Sequence, residues 1–230
     1  MKKFLSILLL FISLLIPGQA FAKTAYLSFD DGPSRCTQPI LDVLAKHKVK
    51  ATFFVMATRD PGHMHLYKEM IKQGHTLGLH TYSHNYAKIY RSEEAYFKDL
   101  QKLEEFLKKE VGVTPKILRF PGGSNNYVSK QYAGRNLMNS LKQEVVKKGY
   151  QFYDWNCEAN DGLNPPVPEK TIIQRITNSV GNQENLYVLL HDFNSNTTAI
   201  DALPEIIQFL KKKGYDFKVM DETTPEYHFK

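Results

Sequence analysis

The stretch Ser28-Phe29-Asp30-Asp31-Gly32-Pro33 places two adjacent carboxylates directly after a short apolar run and before a Gly-Pro turn. The apolar residues that precede the aspartates are typical of a buried β-strand. Two neighbouring carboxylates repel each other, and removing both from water is costly. A cation bound between the chain and a ligand would offset both the repulsion and the cost of removing the carboxylates from water. The stretch therefore predicts a strand that ends at a metal-binding site.

Short apolar runs alternate with helical patterns along the rest of the chain. In the helical patterns, apolar residues recur at three- and four-residue spacing, as between Ser92 and Leu107. Alternating strands and helices indicate parallel strands joined by crossovers. About seven strands favour an α/β fold, a distorted and incomplete (β/α) barrel, although their order alone leaves an open sheet as an alternative. The predicted strands are 24–29, 51–56, 76–79, 117–118, 152–153, 186–190 and 217–220.

Polar side chains follow five of these runs at their C-terminal ends. In a parallel α/β barrel those ends lie at one face, where active sites are built. We therefore expect one site assembled from residues that are far apart in the chain. The residues at these positions are Asp30 with Asp31, His80, Arg119, Asp154 with Trp155, and His191.

His80 and His84, in the segment HTYSH, are four residues apart. On a helical turn this spacing brings both imidazoles to one face. With one of the two aspartates they would form a His₂-carboxylate site, and three protein ligands leave one position open, as in catalytic zinc sites. One aspartate would then bind the metal, while the other would act as a general base. Zinc is the expected divalent ion, with cobalt or nickel as alternatives.

The remaining candidates suit the hydrolysis of an acyl group. His191 can protonate a departing amine, and Asp154 can hold and tune His191. Arg119 can orient a carboxylate base through a bidentate pair. A backbone N–H near Gly122 could stabilise an oxyanion, because glycine lets the backbone approach closely. Trp155 could form an apolar wall for a small group such as a methyl.

The motifs SFDDGPS, HTYSH, RFPGG, YDW and LLH resemble, in order and spacing, those of the polysaccharide deacetylase family, also known as carbohydrate esterase family 4 or the NodB-homology domain. The resemblance covers about residues 24–222. It implies a distorted (β/α) barrel and metal-dependent removal of acetyl groups from polysaccharides, mostly polymers of N-acetylglucosamine.

Carried over motif by motif, the resemblance gives each candidate a role. Asp30 would be the general base, positioned by Arg119. His191 would be the general acid, tuned by Asp154. The metal ligands would be Asp31, His80 and His84. The residues that bind the substrate or line its acetate pocket would be Gly122, Trp155 and Leu189.

The third motif departs from the family pattern. It commonly reads Arg-x-Pro-Tyr, whereas here Gly122 and Gly123 follow the proline. The backbone N–H of Gly122 is kept, but the tyrosine ring is lost. The segment 124–141 is also long for the family. Both differences lie where substrate should bind, so we expect them to affect specificity more than chemistry.

Residues 1–22 are typical of a secretory signal peptide. Lys2 and Lys3 precede an apolar run of 13 residues, which is short for a membrane span. Ala20-Phe21-Ala22 is typical of a cleavage site. We expect cleavage after Ala22, a secreted or cell-surface protein without a stable membrane span, and one NodB-like polysaccharide deacetylase domain over residues 23–230. An uncleaved anchor is the alternative.

The charge composition of the chain argues against nucleic acid as a binding partner. The net charge of +6 is modest and the basic residues are scattered, which is not typical of a nucleic-acid-binding protein. The expected partner is an N-acetylated glycan, most simply peptidoglycan because the signal peptide is of bacterial type, and the simplest oligomeric state is a monomer. Cys36 and Cys157 could pair outside the cell or be two free thiols.

Other functions stay open on the sequence alone. The same family could act on chitin oligomers or acetyl-xylan, and a non-catalytic carbohydrate-binding protein could use the same scaffold. An Fe(II) oxygenase also has two histidines and a carboxylate, but its histidines are usually far apart. His75, before a predicted strand, is expected to be structural. Several tyrosines could stack on sugars, although packing is the default interpretation: Tyr82, Tyr86, Tyr90, Tyr127 and Tyr132.

Overall fold

The computed structural model describes residues 23–58, 60–163 and 166–230. The expected signal peptide lies outside the described residues. The strands are β1 Lys23–Asp30, β2 Thr52–Val55, β3 Thr76–Leu79, β4 Ile117–Leu118, β5 Gln151–Phe152, β6 Cys157–Glu158, β7 Asn185–His191 and β8 Tyr215–Phe217. The helices are α1 Thr37–His47, α2 Met64–Lys72, α3 Tyr86–Ile89, α4 Glu93–Val111, α5 Lys130–Ala133, α6 Leu137–Lys147, α7 Glu169–Ser179 and α8 Thr197–Lys212.

The strands form one parallel sheet in the order β5-β4-β3-β2-β1-β7-β6. β7 pairs with nearly the whole of β1, from Thr24 to Asp30. The other edge of β1 is shared, because β8 pairs with its first three residues and β2 with its last three. The sheet is a curled, incomplete barrel, and the C-terminal ends of its strands lie at one face.

The alternation of side chains along β1 separates two hydrophobic cores. Leu27 and Phe29 belong to the large core between the strands and the helices. Tyr26 belongs to the smaller core inside the curled sheet. Because successive strand residues point to opposite faces, Ser28 and Asp30 share the inner face with Tyr26. The first aspartate of the opening stretch is thus directed inward, at the end of the inner core.

The expected α/β barrel of about seven parallel strands is confirmed. Two details differ from the sequence prediction. The last strand, β8, spans Tyr215–Phe217, whereas the sequence predicted this strand at 217–220. The strand begins earlier because α8 ends just before Gly214. β6 was not predicted, because its two residues form no apolar run.

The helix predicted after Ser92 is confirmed as α4, whose first turn is capped by the Ser92 hydroxyl accepting from the N–H of Ala95 at 3.1 Å. Cys36 and Cys157 are both buried and free, so the alternative of a disulfide between them is not realised. No helix in the described part of the chain combines the length and the apolar character needed to cross a membrane.

Candidate active site

The C-terminal ends of the strands surround a cavity of about 320 Å³. It contains most of the side chains that the sequence placed at the strand ends, including both aspartates of the opening stretch. The residues that line it are Asp30, Asp31, His80, His84, Tyr86, Gly122, Trp155, Glu158, Gly162, Leu189 and His191.

Asp30 is the most enclosed carboxylate of the cavity, with 3% of its surface exposed. Arg119, which is completely buried, donates from Nη1 to Asp30 Oδ1 and to the hydroxyl of Ser28, both at 2.8 Å. The bidentate pair expected from the sequence is not formed, because Arg119 Nε donates to the carbonyl oxygen of Tyr153 at 3.0 Å instead. Burial raises the pKa of Asp30, and the Arg119 charge opposes that rise.

Asp31 leaves the strand with a positive φ of 78°, which turns its side chain away from that of Asp30 and toward the two histidines.

Asp192 holds the loop that follows Asp31. Its carboxylate accepts from the hydroxyls of Ser34 and Thr37 at 2.6 and 2.5 Å. A Cβ at Gly32 would lie 2.2 Å from Asp192 Oδ2, so only glycine fits against this carboxylate.

His80 and His84 lie on a loop and not on the helical turn expected from their spacing. Thr81 and His84 adopt positive φ values of 68° and 49°, which a helix does not contain. Asp99 of α4 holds this loop. Its buried carboxylate accepts from the backbone N–H groups of Tyr82 and Ser83 at 2.7 and 2.9 Å. Asp99 therefore holds the backbone between the two histidines.

The side chains of Asp31, His80 and His84 fit a divalent metal ion. One ligand atom from each lies within 4.8 Å of the others. Asp31 Oδ1 is buried without a hydrogen-bond partner among the described residues, and it lies 3.5 Å from His80 Nε2 and 3.4 Å from His84 Nε2. An orphaned carboxylate oxygen facing two imidazole nitrogens is a donor set that suits a divalent metal ion.

The state of His80 suits a metal ligand. Its Nδ1 lies 2.8 Å from the carbonyl oxygen of Arg119, an acceptor, so Nδ1 carries the proton and Nε2 keeps its lone pair. Burial, with the neighbouring His84, lowers the pKa of His80 to about 3. The imidazole is therefore neutral at physiological pH, which is the form that binds metals.

His191 pairs with Asp161 and not with Asp154, which corrects the sequence prediction. His191 Nδ1 lies 2.8 Å from Asp161 Oδ1, and the His191 backbone N–H donates to Asp161 Oδ2 at 2.9 Å. Burial alone would lower the pKa of His191. The hydrogen bond and charge of Asp161, together with the charges of Asp30 and Asp31, outweigh that effect and raise the pKa to about 9.

Asp154 has a different role. Its carboxylate accepts from the N–H and hydroxyl of Ser124, and from the N–H of Phe229 at 2.8 Å. It thereby ties the loop after the third motif to the C-terminal tail. Its oxygens are engaged by these donors, and neither of them is hydrogen-bonded to His191.

Trp155 and Leu189 both line the cavity, as expected, and Gly162 completes this wall. A Cβ at Gly162 would lie 3.0 Å from the His191 ring. Gly122 also lines the cavity, with a φ of 77°, and its N–H donates to none of the described residues. It is thus available to a ligand.

Sequence reasoning missed Asp99, Asp161, Glu158 and Tyr86. Asp161 follows a strand of only two residues, so no apolar run marked it as a strand-end position. Asp99 lies on the buried side of α4 among leucines, and a charged residue at a core position was the available signal. Tyr86 was one of several tyrosines given the default interpretation of packing.

Within the curled parallel barrel, three potential metal ligands are flanked by a buried carboxylate and by a histidine paired with an aspartate, an arrangement suited to metal-assisted hydrolysis. The sequence profile of the polysaccharide deacetylase family matches residues 18–141. The chain is 32% identical over 212 residues to a peptidoglycan-N-acetylglucosamine deacetylase of Bacillus cereus, covering 90% of this chain and 71% of the relative.

Solved structures agree with this similarity. The catalytic domain of peptidoglycan N-acetylglucosamine deacetylase from Eubacterium rectale superposes with a TM-score of 0.85 at 38% identity, covering 90% of this chain and 93% of that one. A polysaccharide deacetylase from Bacillus cereus gives a TM-score of 0.76 at 29% identity, over 90% and 96% of the two chains. The chain belongs to the polysaccharide deacetylase family and is a hydrolase that acts on non-peptide carbon–nitrogen bonds.

Proposed function

We propose that this chain is a secreted, metal-dependent deacetylase that removes the N-acetyl group of N-acetylglucosamine units in peptidoglycan and releases acetate. The observation that carries the proposal is the arrangement around one cavity. A carboxylate and two imidazoles form a metal-type triad, while Asp30 and His191 flank it from separate strands.

The metal would be held by Asp31, His80 and His84, and it would supply Lewis-acid activation of water and of the amide carbonyl. Zinc is the expected ion because one carboxylate and two imidazoles suit it. The role of the surrounding residues is to orient the amide and to move protons.

Asp30 would accept the proton of the attacking water. Arg119 engages Oδ1, so Oδ2 is the oxygen available for the proton, and it lies 3.7 Å from His80 Nε2 in the metal ligand set. Burial raises the pKa of this carboxyl and makes it a better base than a solvated aspartate. The paired Arg119 keeps the carboxylate ionised before the reaction.

His191 would donate a proton to the nitrogen of the departing amino sugar. With Nδ1 engaged by Asp161, Nε2 is the nitrogen left for the substrate, and a pKa of about 9 keeps the ring protonated at neutral pH. A base and an acid on two sides of the scissile bond account for both proton transfers of amide hydrolysis. The acetyl methyl would lie against Trp155 and Leu189.

The proposed substrate and the proposed cellular location are supported by different observations. The relatives named for activity on peptidoglycan N-acetylglucosamine favour that polymer over chitin and acetyl-xylan. Extracytoplasmic location rests on the signal-peptide pattern of residues 1–22, which also favours a wall polymer as substrate.

The test is acetate release by the purified protein from peptidoglycan, chitin oligomers and acetyl-xylan, each with added zinc and with a chelator. We expect release from peptidoglycan that is lost with the chelator and restored by zinc. Asp30→Asn should abolish release while the protein still binds zinc. Chelator-resistant release would disprove the metal dependence, and release from another polymer alone would assign a different substrate.

A further inference from the structure

Tyr86, the first residue of α3, brings a hydroxyl to the same cavity. Its half-buried ring stands nearly perpendicular to the ring of the metal-ligand candidate His84, with centroids 5.3 Å apart. The Tyr86 hydroxyl makes no hydrogen bond to any side chain or backbone group in the described part of the chain. A polar group in a cavity without a protein partner is available to a ligand.

The Tyr86 hydroxyl lies against the backbone of the third motif. A Cβ built on Gly122 would be only 2.9 Å from the hydroxyl oxygen. A side chain at position 122 would therefore force the Tyr86 hydroxyl to shift, and the positive φ of Gly122 would strain it as well. The glycine that replaces the usual tyrosine of this motif thus makes room for the hydroxyl of another tyrosine.

Two hydrogen bonds, one at each end of α3, fix the position of Tyr86 relative to Gly122. Asn85 caps α3 through its side chain, which accepts from the N–H of Lys88 at 3.1 Å. At the end of the same short helix, the Tyr90 hydroxyl donates to the carbonyl oxygen of Pro121 at 2.7 Å. Helix α3 and the third motif are therefore connected by a buried hydrogen bond beside the cavity.

We propose that Tyr86 is a catalytic residue of this chain, whose hydroxyl donates a hydrogen bond to the oxyanion formed when water attacks the acetamide carbonyl. Tyr86 keeps its proton throughout, and the backbone N–H of Gly122 is the second donor to the same oxygen. This inference rests on the proposed deacetylase function, which it deepens by completing the oxyanion site with a side chain.

The alternative is that Tyr86 only packs against His84 and Tyr90, in which case its hydroxyl is dispensable. Tyr86→Phe separates the two, because it keeps the ring and removes the hydrogen-bond donor. Tyr82→Phe is the matched control. Tyr82 lies in the loop that precedes α3, but its ring packs against Phe106 and lies under Lys102, and it does not line the cavity.

The experiment measures kcat and KM for acetate release, zinc content, and the affinity for a methylphosphonamidate analogue of an N-acetylglucosamine oligomer. In this analogue a tetrahedral phosphorus replaces the acetyl carbonyl. Tyr86→Phe should lower kcat by about a hundredfold, the usual effect of losing one oxyanion donor, with little change in KM or zinc content. Affinity for the analogue should fall in parallel, because it resembles the transition state.

Tyr82→Phe should match the unmodified protein in every measurement. Equal kcat and equal analogue affinity in Tyr86→Phe and Tyr82→Phe would overturn the role of Tyr86 while leaving the proposed function intact. A Tyr86→Phe protein that loses zinc would also overturn it, since the residue would then act through the metal ligands. Absence of acetate release from the unmodified protein would overturn the proposed function itself.

Discussion

Asp161 binds His191 twice, through side chain and backbone. Oδ1 lies 2.8 Å from His191 Nδ1, while Oδ2 accepts the His191 backbone N–H at 2.9 Å and the side-chain amide of Asn196 at 2.6 Å. The carboxylate is completely buried, so its charge acts on the imidazole with little screening. This pair fixes the ring and favours its cationic form, which is the form that the proposed role as a general acid requires.

Replacing Asp161 by Asn should move the alkaline limit of activity to lower pH. The pKa of His191 is raised to about 9, so the acid is present below that pH and is lost as the pH rises through it. Without the Asp161 charge, the pKa should fall toward the ordinary value of about 6.5. The pH profile of kcat for acetate release should then decline from near neutrality instead of near pH 9.

Asp154→Asn is the control for this measurement. Asp154 contacts Ser124 and the N–H of Phe229 but not His191, so its replacement should leave the alkaline limit near that of the unmodified protein. If Asp154→Asn shifts the limit and Asp161→Asn does not, the assignment of the carboxylate that tunes His191 is wrong.

The strand-end pattern in the sequence was sufficient to bring the main site residues together. Asp30, His80, Arg119 and His191 all follow or end apolar runs, and parallel strands place such ends at one face. The hydrophobic periodicity also gave the α/β class and most elements. These features depend on local sequence and on a general rule of parallel sheets, so a single sequence contains them.

Which residues contact each other within the site could not be predicted in the same way. Asp154 lies before the short strand β6 and Asp161 lies after it, and the pairing of β6 with β7 brings Asp161 to His191. The i, i+4 spacing of the two histidines suggested a helix, but Asp99, from a helix later in the chain, holds that segment as a loop. Such choices are made by long-range contacts, which a local pattern does not contain.

Asp99→Ala should weaken metal binding although Asp99 is not a ligand. Its carboxylate holds the backbone of Tyr82 and Ser83 between the two histidines, so its loss should let the imidazoles separate. Supporting residues of this kind typically change metal affinity by about 10- to 100-fold. Zinc affinity, measured by competition with a chromophoric chelator, should fall by a factor in that range.

Glu105→Ala provides the comparison for Asp99. Glu105 lies on the exposed side of the same helix, where it accepts from Gln101 at 2.8 Å. Its removal should leave zinc affinity unchanged. Equal zinc affinity in the two variants would show that the histidine loop does not depend on Asp99.

Phe229→Ala should reduce selectivity for the acetyl group. The Phe229 ring stands edge-on to Trp155, with centroids 4.8 Å apart, and a Cβ on Gly123 would lie 2.9 Å from Phe229 Cε2. The tail thus packs against Trp155, while Phe229 itself is not among the residues that line the cavity. Removing the ring should let Trp155 shift, and the preference for N-acetyl over N-propionyl glucosamine oligomers, measured as a ratio of kcat/KM, should decrease.

Phe209→Ala distinguishes this effect from a general loss of stability. Phe209 is a half-buried aromatic residue of α8, packed against the large core and remote from the cavity lining. Both variants should lower the melting temperature, because each removes apolar contacts. Only Phe229→Ala should change the acyl preference, and an equal preference in both would argue against support of Trp155 by the tail.

His75 should make the fold sensitive to acid. Its side chain is buried, Nδ1 accepts from the N–H of Ala51 at 3.0 Å, and Nε2 is buried without a partner among the described residues. Burial, together with the charge of Lys50, lowers the pKa of His75 to about 4. Between about pH 6.5 and 4 the unfolded chain binds a proton that the folded chain does not.

The stability that neutral His75 contributes is therefore complete above about pH 6.5 and is lost as the pH falls toward 4, by about 1.4 kcal/mol per pH unit. His75→Gln removes this titration, so the difference in free energy of unfolding between the two proteins should shrink between pH 7 and 4.5 in urea titrations. Asn139→Ala, at an exposed position of α6 that carries no titratable group, should show a constant difference over the same interval. A constant difference for His75→Gln as well would mean that His75 binds its proton in the same pH range in the folded and the unfolded chain, and would contradict the prediction.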